Sequence, residues 1–129
     1  MTDSEPPLDP SRYAPFKIED ARDTKWNDIR VSFSEWDWLR EQYGSHEIDG
    51  YYLNGYGVEG LVKALLLRQG MNPSDPDIHW NSEGGTCYIQ FKSLDRAVRV
   101  AELAAQMIRN RQQLEAMIAV AREHGFEDG

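Results

Sequence analysis

The sequence predicts an α+β domain: a small antiparallel sheet of three to five strands, covered on one face by about three helices. Two-residue alternation of apolar side chains runs through "NDIRVSF" and recurs in "IHWNSEGGTCYIQF", while helical periodicity fills most of residues 94–124. Alternation buries one face of a strand, and a period near 3.6 buries one stripe of a helix, so both patterns in a chain of 129 residues predict helices stacked on a sheet. That length suits a single domain, assigned to residues 13–129. Residues 1–12, "MTDSEPPLDPSR", are acidic, hold three prolines and show no apolar period; they predict a flexible tail.

In chain order, Ile29, Val31 and Phe33 alternate with Arg30 and Ser32 and predict a strand over 28–33. "SEWD", residues 34–37, has the spacing of a capping box, in which Ser34 and the acid three residues later would satisfy free N–H groups at a helix start. A short helix over 35–43 follows, closed by Gly44. "HEIDGYYLNGYG" offers Asp49-Gly50 as a tight turn, with the surrounding structure left open. "GVEGLVKALLLRQG" predicts a helix over 57–69 with Val58, Leu61, Val62 and Leu65 inside, and Gly57 and Gly60 imply close backbone packing, since each weakens a helix by roughly 1 kcal/mol relative to Ala. Strands over 77–81 and 86–91 make a hairpin around "SEGG". Ser93 caps a helix over 94–109 whose predicted inner stripe is Leu94, Ala97, Val98, Ala101, Ala105 and Ile108. Leu114, Met117, Ile118 and Ala121 line the last helical run, over 111–124, ended by Gly125; its stripe is nearly in phase with the preceding one, so one helix or two stays open at Asn110.

Composition narrows the function. No apolar run approaches the roughly 18 residues of a membrane span, and Met1 to Pro10 lack both the basic and the apolar regions of a secretory leader, so a cytoplasmic protein without membrane contact is expected. A lone Cys87 fits a reducing compartment. The net charge is −8, and residues 1–50 hold twelve acids against six bases; such a surface repels nucleic acid and steers basic partners.

His79, Glu83 and Cys87 fall within nine positions, which raises a metal or thiol site. The hairpin separates them: Cys87 points with Ile89 and Phe91 to the core, His79 points to the other face, and Glu83 lies in the turn. "GYGVEG" lacks both the spacing and the following Lys-Ser/Thr of a phosphate loop. His46 and His124 bring no nucleophile or metal partner. No catalytic residue, metal or cofactor is assigned, and an enzyme is not expected.

On the helix over 35–43, 100° per residue places Trp36, Leu39 and Tyr43 on one face, with Asp37, Trp38, Glu41 and Gln42 opposite. Trp36 is expected inside and Trp38 outside among carboxylates, as an anchor for a basic partner, unless the segment around Tyr13 and Phe16 covers it. Residues 26–56 also hold eight of the fourteen aromatics. The expected contact surface is therefore Trp38 with Glu35, Asp37, Glu41, Glu47, Asp49 and Tyr51.

The combination "NGYGVEGLVKALL" and "IHWNSEGGTCYIQFKSLDRAVRVAELAAQMI" resembles the Imm51 family of immunity proteins from bacterial polymorphic toxin systems, over roughly residues 48–123. The residues that carry it are Asn54, Gly55, Tyr56 and Glu59, then Glu83 and Gly84; Val58 stands where the family pattern has an aromatic residue. The resemblance implies a small α+β domain that binds and neutralises a cognate toxin; the acidic, aromatic surface in turn suggests a basic toxin such as a nuclease. Glu59 and Glu83 are then either ligand positions or cap and turn formers. Two other classes compete: a scaffold domain closing a homodimer, and a small hydrolase using Glu83 and His79.

Overall fold

The computed structural model describes residues 9–126. Strand β1 (Lys17–Ala21) pairs antiparallel with β2 (Asp28–Phe33); helix α1 (Trp36–Tyr43) and a hairpin of β3 (Glu47–Ile48) and β4 (Tyr51–Tyr52) follow. Next come α2 (Gly55–Arg68), the hairpin β5 (Ile78–Trp80) and β6 (Cys87–Phe91), then α3 (Leu94–Arg109) and α4 (Arg111–His124). The main sheet runs β1-β2-β6-β5, all antiparallel, because β6 pairs with β2 through Ile29↔Phe91 and Val31↔Ile89. That register places Ile29, Val31, Phe33, Cys87, Ile89 and Phe91 on one face, every one buried.

Helices α2 and α3 lie on that face, α2 against β6 and α3 against β1, β2 and β6, while α4 packs chiefly on α2 and α3 as a further layer. Helix α2 is thus enclosed by sheet and helices, which explains why Ala64 and Leu66 are buried beside the expected Val58, Leu61, Val62 and Leu65. The inner stripe of α3 is Ala97, Val100, Ala101, Ala104, Ala105, Met107 and Ile108; Leu94 and Val98, expected inside, are half-buried. The stripe turned because α3 meets α4 as well as the sheet. Asn110 separates α3 from α4: its extended backbone breaks the run, and its side chain accepts the Gln113 N–H. No helix among the described residues is long and apolar enough to cross a membrane.

Three local features depart from the expectations. Strand β1, "KIEDA", went unseen because its single large apolar residue, Ile18, leaves no alternation to read, as suits a charged sheet edge. Residues 10–12, expected as tail, form a 3₁₀ turn capped by Asp9 and tied to α3 by the Arg12–Glu102 ion pair (3.0 Å) and by Arg109 donating to the Ser11 carbonyl (3.0 Å). The rest of the expected tail lies outside the described residues. The capping box at Ser34 does not form: α1 starts one residue later, from Glu35, whose carboxylate pairs with Lys17 of β1 (3.3 Å).

Candidate functional site

Helix α1 sets its tryptophans about 160° apart, yet neither is fully inside or fully outside. Leu39 is the fully buried centre, Trp36 lies about 60° to one side and Trp38 about 100° to the other, and both are half-buried. The Trp36 indole meets Phe33 edge-on with centroids 5.1 Å apart and donates to the Gly85 carbonyl (2.9 Å). Trp38, expected outside, packs against the core and shares a cavity wall with Pro10, Pro15 and Phe16, so the N-terminal segment does approach it. Of its expected acidic companions, Glu35 is held by Lys17, Asp37 pairs with Arg40 (2.8 Å) in solvent, and Glu41, Glu47 and Asp49 are exposed.

Tyr51 corrects the expectation most clearly. It is 1% exposed, and its hydroxyl donates to the Gly57 carbonyl (2.6 Å). In the β3-β4 hairpin, Asp49 and Gly50 both take positive φ (54° and 81°), as a tight two-residue turn requires. One strand residue then faces in and its neighbour faces out: Tyr51 is inside, and Tyr52 is 60% exposed. Tyr52 pairs across the hairpin with Glu47, so an exposed ring and an exposed carboxylate stand side by side.

Residues 54–57 bring a second exposed aromatic to this place. Asn54 caps α2, its side chain accepting the Gly57 N–H (2.8 Å). Gly55 N–H donates to the Gly84 carbonyl (3.0 Å), and a Cβ on Gly55 would overlap the carbonyls of Glu83 and Thr86. Gly57 rests against the Tyr52 carbonyl in the same way. Backbone contact thus locks the first turn of α2 between β4 and the β5-β6 turn and leaves Tyr56, between the two glycines, 42% exposed. The exposed residues on the segments that meet here are Tyr52, opposite Glu47 in the hairpin, Tyr56, and Glu83, whose backbone carbonyl faces Gly55. Tyr52 was not singled out from the sequence, because which of two adjacent tyrosines faces outward depends on the hairpin register.

Beneath this surface the remaining motif residues serve packing. Glu59 is buried at 5% exposure, where its carboxylate holds Lys63 (3.1 Å) and accepts the Ser82 N–H (3.4 Å), joining α2 to the second hairpin. Lys63 also lies over the Trp80 ring at 5.2 Å. Cys87 is fully buried next to this pair; burial pushes its thiol up to about 12, and the Glu59 charge adds to the rise against a hydrogen bond from Ser82. It is a protonated packing residue at ordinary pH. His79 is exposed on the opposite side of the sheet, so Cys87 and His79 do not converge. Among the described residues no three His, Cys, Asp or Glu side chains are grouped to hold a metal ion.

No family model, curated protein or solved structure matches the chain.

Proposed function

We propose that the protein is a non-catalytic binding domain of the immunity type, and that it neutralises a basic bacterial toxin domain by covering it with the surface around Tyr52 and Tyr56. The observation that carries this reading is the pair of outward tyrosines, 60% and 42% exposed, set among Glu47 and Glu83 on a chain of net charge −8. Tyrosine offers a large contact area with few torsions to freeze, so its ordering on binding costs little. A rigid mount lowers that cost further, and here the mount is the glycine-locked junction of α2 with two hairpins. The carboxylates favour a basic partner and speed its encounter, while the buried rings would hold the complex together. The resemblance to Imm51 proteins points the same way, since it implies binding and blocking of a toxin in the producing cell or its kin. The contact surface is thereby moved from Trp38 and Tyr51 to the neighbouring tyrosines.

The test begins with a tagged copy of the full chain used to recover its partner from the native host at sub-micromolar bait. A toxin domain encoded beside this gene should be recovered, and the purified protein should abolish that toxin's activity. The Tyr52→Ala/Tyr56→Ala double variant should then bind at least about 30-fold more weakly, equivalent to ~2 kcal/mol. Undiminished binding by the folded double variant would reject this surface, and failure to inhibit the adjacent toxin would reject the immunity reading.

A further inference from the structure

The face of the main sheet turned away from the helices carries a second, chemically different feature. The β1-β2 loop lays Trp26, 55% exposed, over that face, beside a cleft of about 580 Å³. That volume lies in the range of small-molecule sites, roughly 300–1,000 Å³. Its floor and walls include Arg30 of β2, Tyr88 and Gln90 of β6, and Asn81 and Glu83 of the β5-β6 turn.

Arg30 is set rigidly. Its Nε donates to Asp28 (3.1 Å), the other Asp28 oxygen accepts the Gln90 amide (2.7 Å), and its guanidinium lies 4.9 Å from the Trp26 ring centre. Asp28 is itself buried at 6% exposure, so the arrangement is a preformed network and not a chance surface pair. The network uses one edge of the guanidinium and the amide end of Gln90; the Gln90 carbonyl, the Asn81 amide and the Tyr88 hydroxyl add donors and acceptors of both kinds along one wall.

Charge selects the ligand class. Asp28 already neutralises Arg30, and Glu83 at the rim offsets Lys25, so the cleft carries no net charge to favour an anion, on a chain of −8. A cation would meet Lys25 and Arg30, both 4.9 Å from the Trp26 ring. What remains is a neutral molecule with many hydroxyls and one apolar face: hydroxyls match the mixed amide, phenol and guanidinium groups, and C–H bonds stack on an indole. Arg30 keeps its place over the indole, so such a ring stacks on Trp26 by displacing the exposed Lys25 side chain.

We propose that this cleft binds a sugar ring, with Trp26 as the stacking platform and Arg30, Asn81, Tyr88 and Gln90 reading its hydroxyls. It adjoins the tyrosine surface at Glu83, but none of the residues that would read the sugar belongs to that surface.

The experiment is a titration of the isotope-labelled full chain with cellobiose, maltose, lactose and chitobiose, followed by the backbone and side-chain N–H signals. The expected result with at least one sugar is a saturable shift centred on the Trp26 indole and the Asn81 and Gln90 amides. Trp26→Ala and Asn81→Ala, both at exposed positions, should each weaken that response by about tenfold with the remaining spectrum unchanged. The proposal is overturned if no sugar gives a saturable shift at tens of millimolar. Equally decisive against it would be saturation unaffected by Trp26→Ala, or a site that answers inorganic phosphate and none of the sugars.

Discussion

The junction at residues 51–59 and the outer face of the sheet both expose aromatic rings, but they hold them by different means. At the junction Tyr51, Leu53, Gly55 and Gly57 face inward against backbone carbonyls, and Tyr52 and Tyr56 stand out between them. On the outer face Trp26 lies against Arg30, which is held by the buried Asp28 and through it by Gln90. Within "NGYGVEG" the positions without room for a side chain are the glycines, Gly55, Gly57 and Gly60, while Tyr56 stands free between two of them. The proposed ligand contacts, by contrast, are exposed or half-buried side chains. Each prediction below presses on that division.

Gly55→Ala should have the largest effect. The new Cβ meets the carbonyls of Glu83 and Thr86, which cannot retreat without opening the hairpin turn. Overpacking of this kind costs about 2–3 kcal/mol, against which better helix propensity returns at most about 1. Urea unfolding should show a clear loss of midpoint, while Asn81→Ala on the outer face should stay within about 0.5 kcal/mol. An unchanged Gly55→Ala midpoint would break the comparison outright.

Glu59→Ala comes next, at roughly 2 kcal/mol. Removing one partner of a buried pair costs about 3–5 kcal/mol, but the Lys63 side chain keeps 18% exposure and can recover some hydration. Glu59→Gln should recover part of the loss, because an amide oxygen can still accept the Ser82 N–H. Equal losses in the two variants would mean that the charge, and not the link to Ser82, holds the hairpin on α2.

Trp38→Ala should cost about 1.5 kcal/mol of folding stability, less than a fully buried Trp, since this ring is half covered. Of the expected inner face Trp36, Leu39 and Tyr43 only Leu39 is fully buried, because eight residues do not reveal how far each flank of the stripe is covered. Longer elements were legible for the opposite reason. In α4 the predicted Leu114, Met117, Ile118 and Ala121 are the buried residues, and in β2 and β6 strict alternation identified the inner face. The candidate site was only partly legible. Asn54, Gly55 and Glu59 stand out in the sequence, yet they act on packing, and the outward Tyr52 depends on a hairpin with two residues per strand, too short for a period to be seen.

Cys87 gives a smaller and pH-dependent effect. Its thiol ionises near the ordinary 9.0 in the unfolded chain and at about 12 in the folded one. A raised folded value means that its contribution is fully present below 9.0 and is lost as pH climbs towards 12. Stability should fall as pH rises through that window, and this share of the slope should vanish in Cys87→Ala. Thiol reagents at neutral pH should modify the protein only when it unfolds. Rapid labelling of the native protein would show that the floor beneath the junction opens locally.

Tyr52→Ala should be the quietest change in the folded state and the loudest in a complex. The ring is 60% exposed and its backbone, not its side chain, supports Gly57, so stability should move by less than about 0.5 kcal/mol. Tyr51→Phe, one residue away, removes the hydroxyl that donates to the Gly57 carbonyl and should cost about 1 kcal/mol of stability without weakening any complex directly. These neighbours therefore form a matched pair: one side chain belongs to the mount and the other to the contact. Thermal unfolding and partner affinity measured on both variants separate the roles. If Tyr52→Ala lost stability and affinity together, the junction would be a packing device throughout, and the contact surface would have to be sought around Trp26.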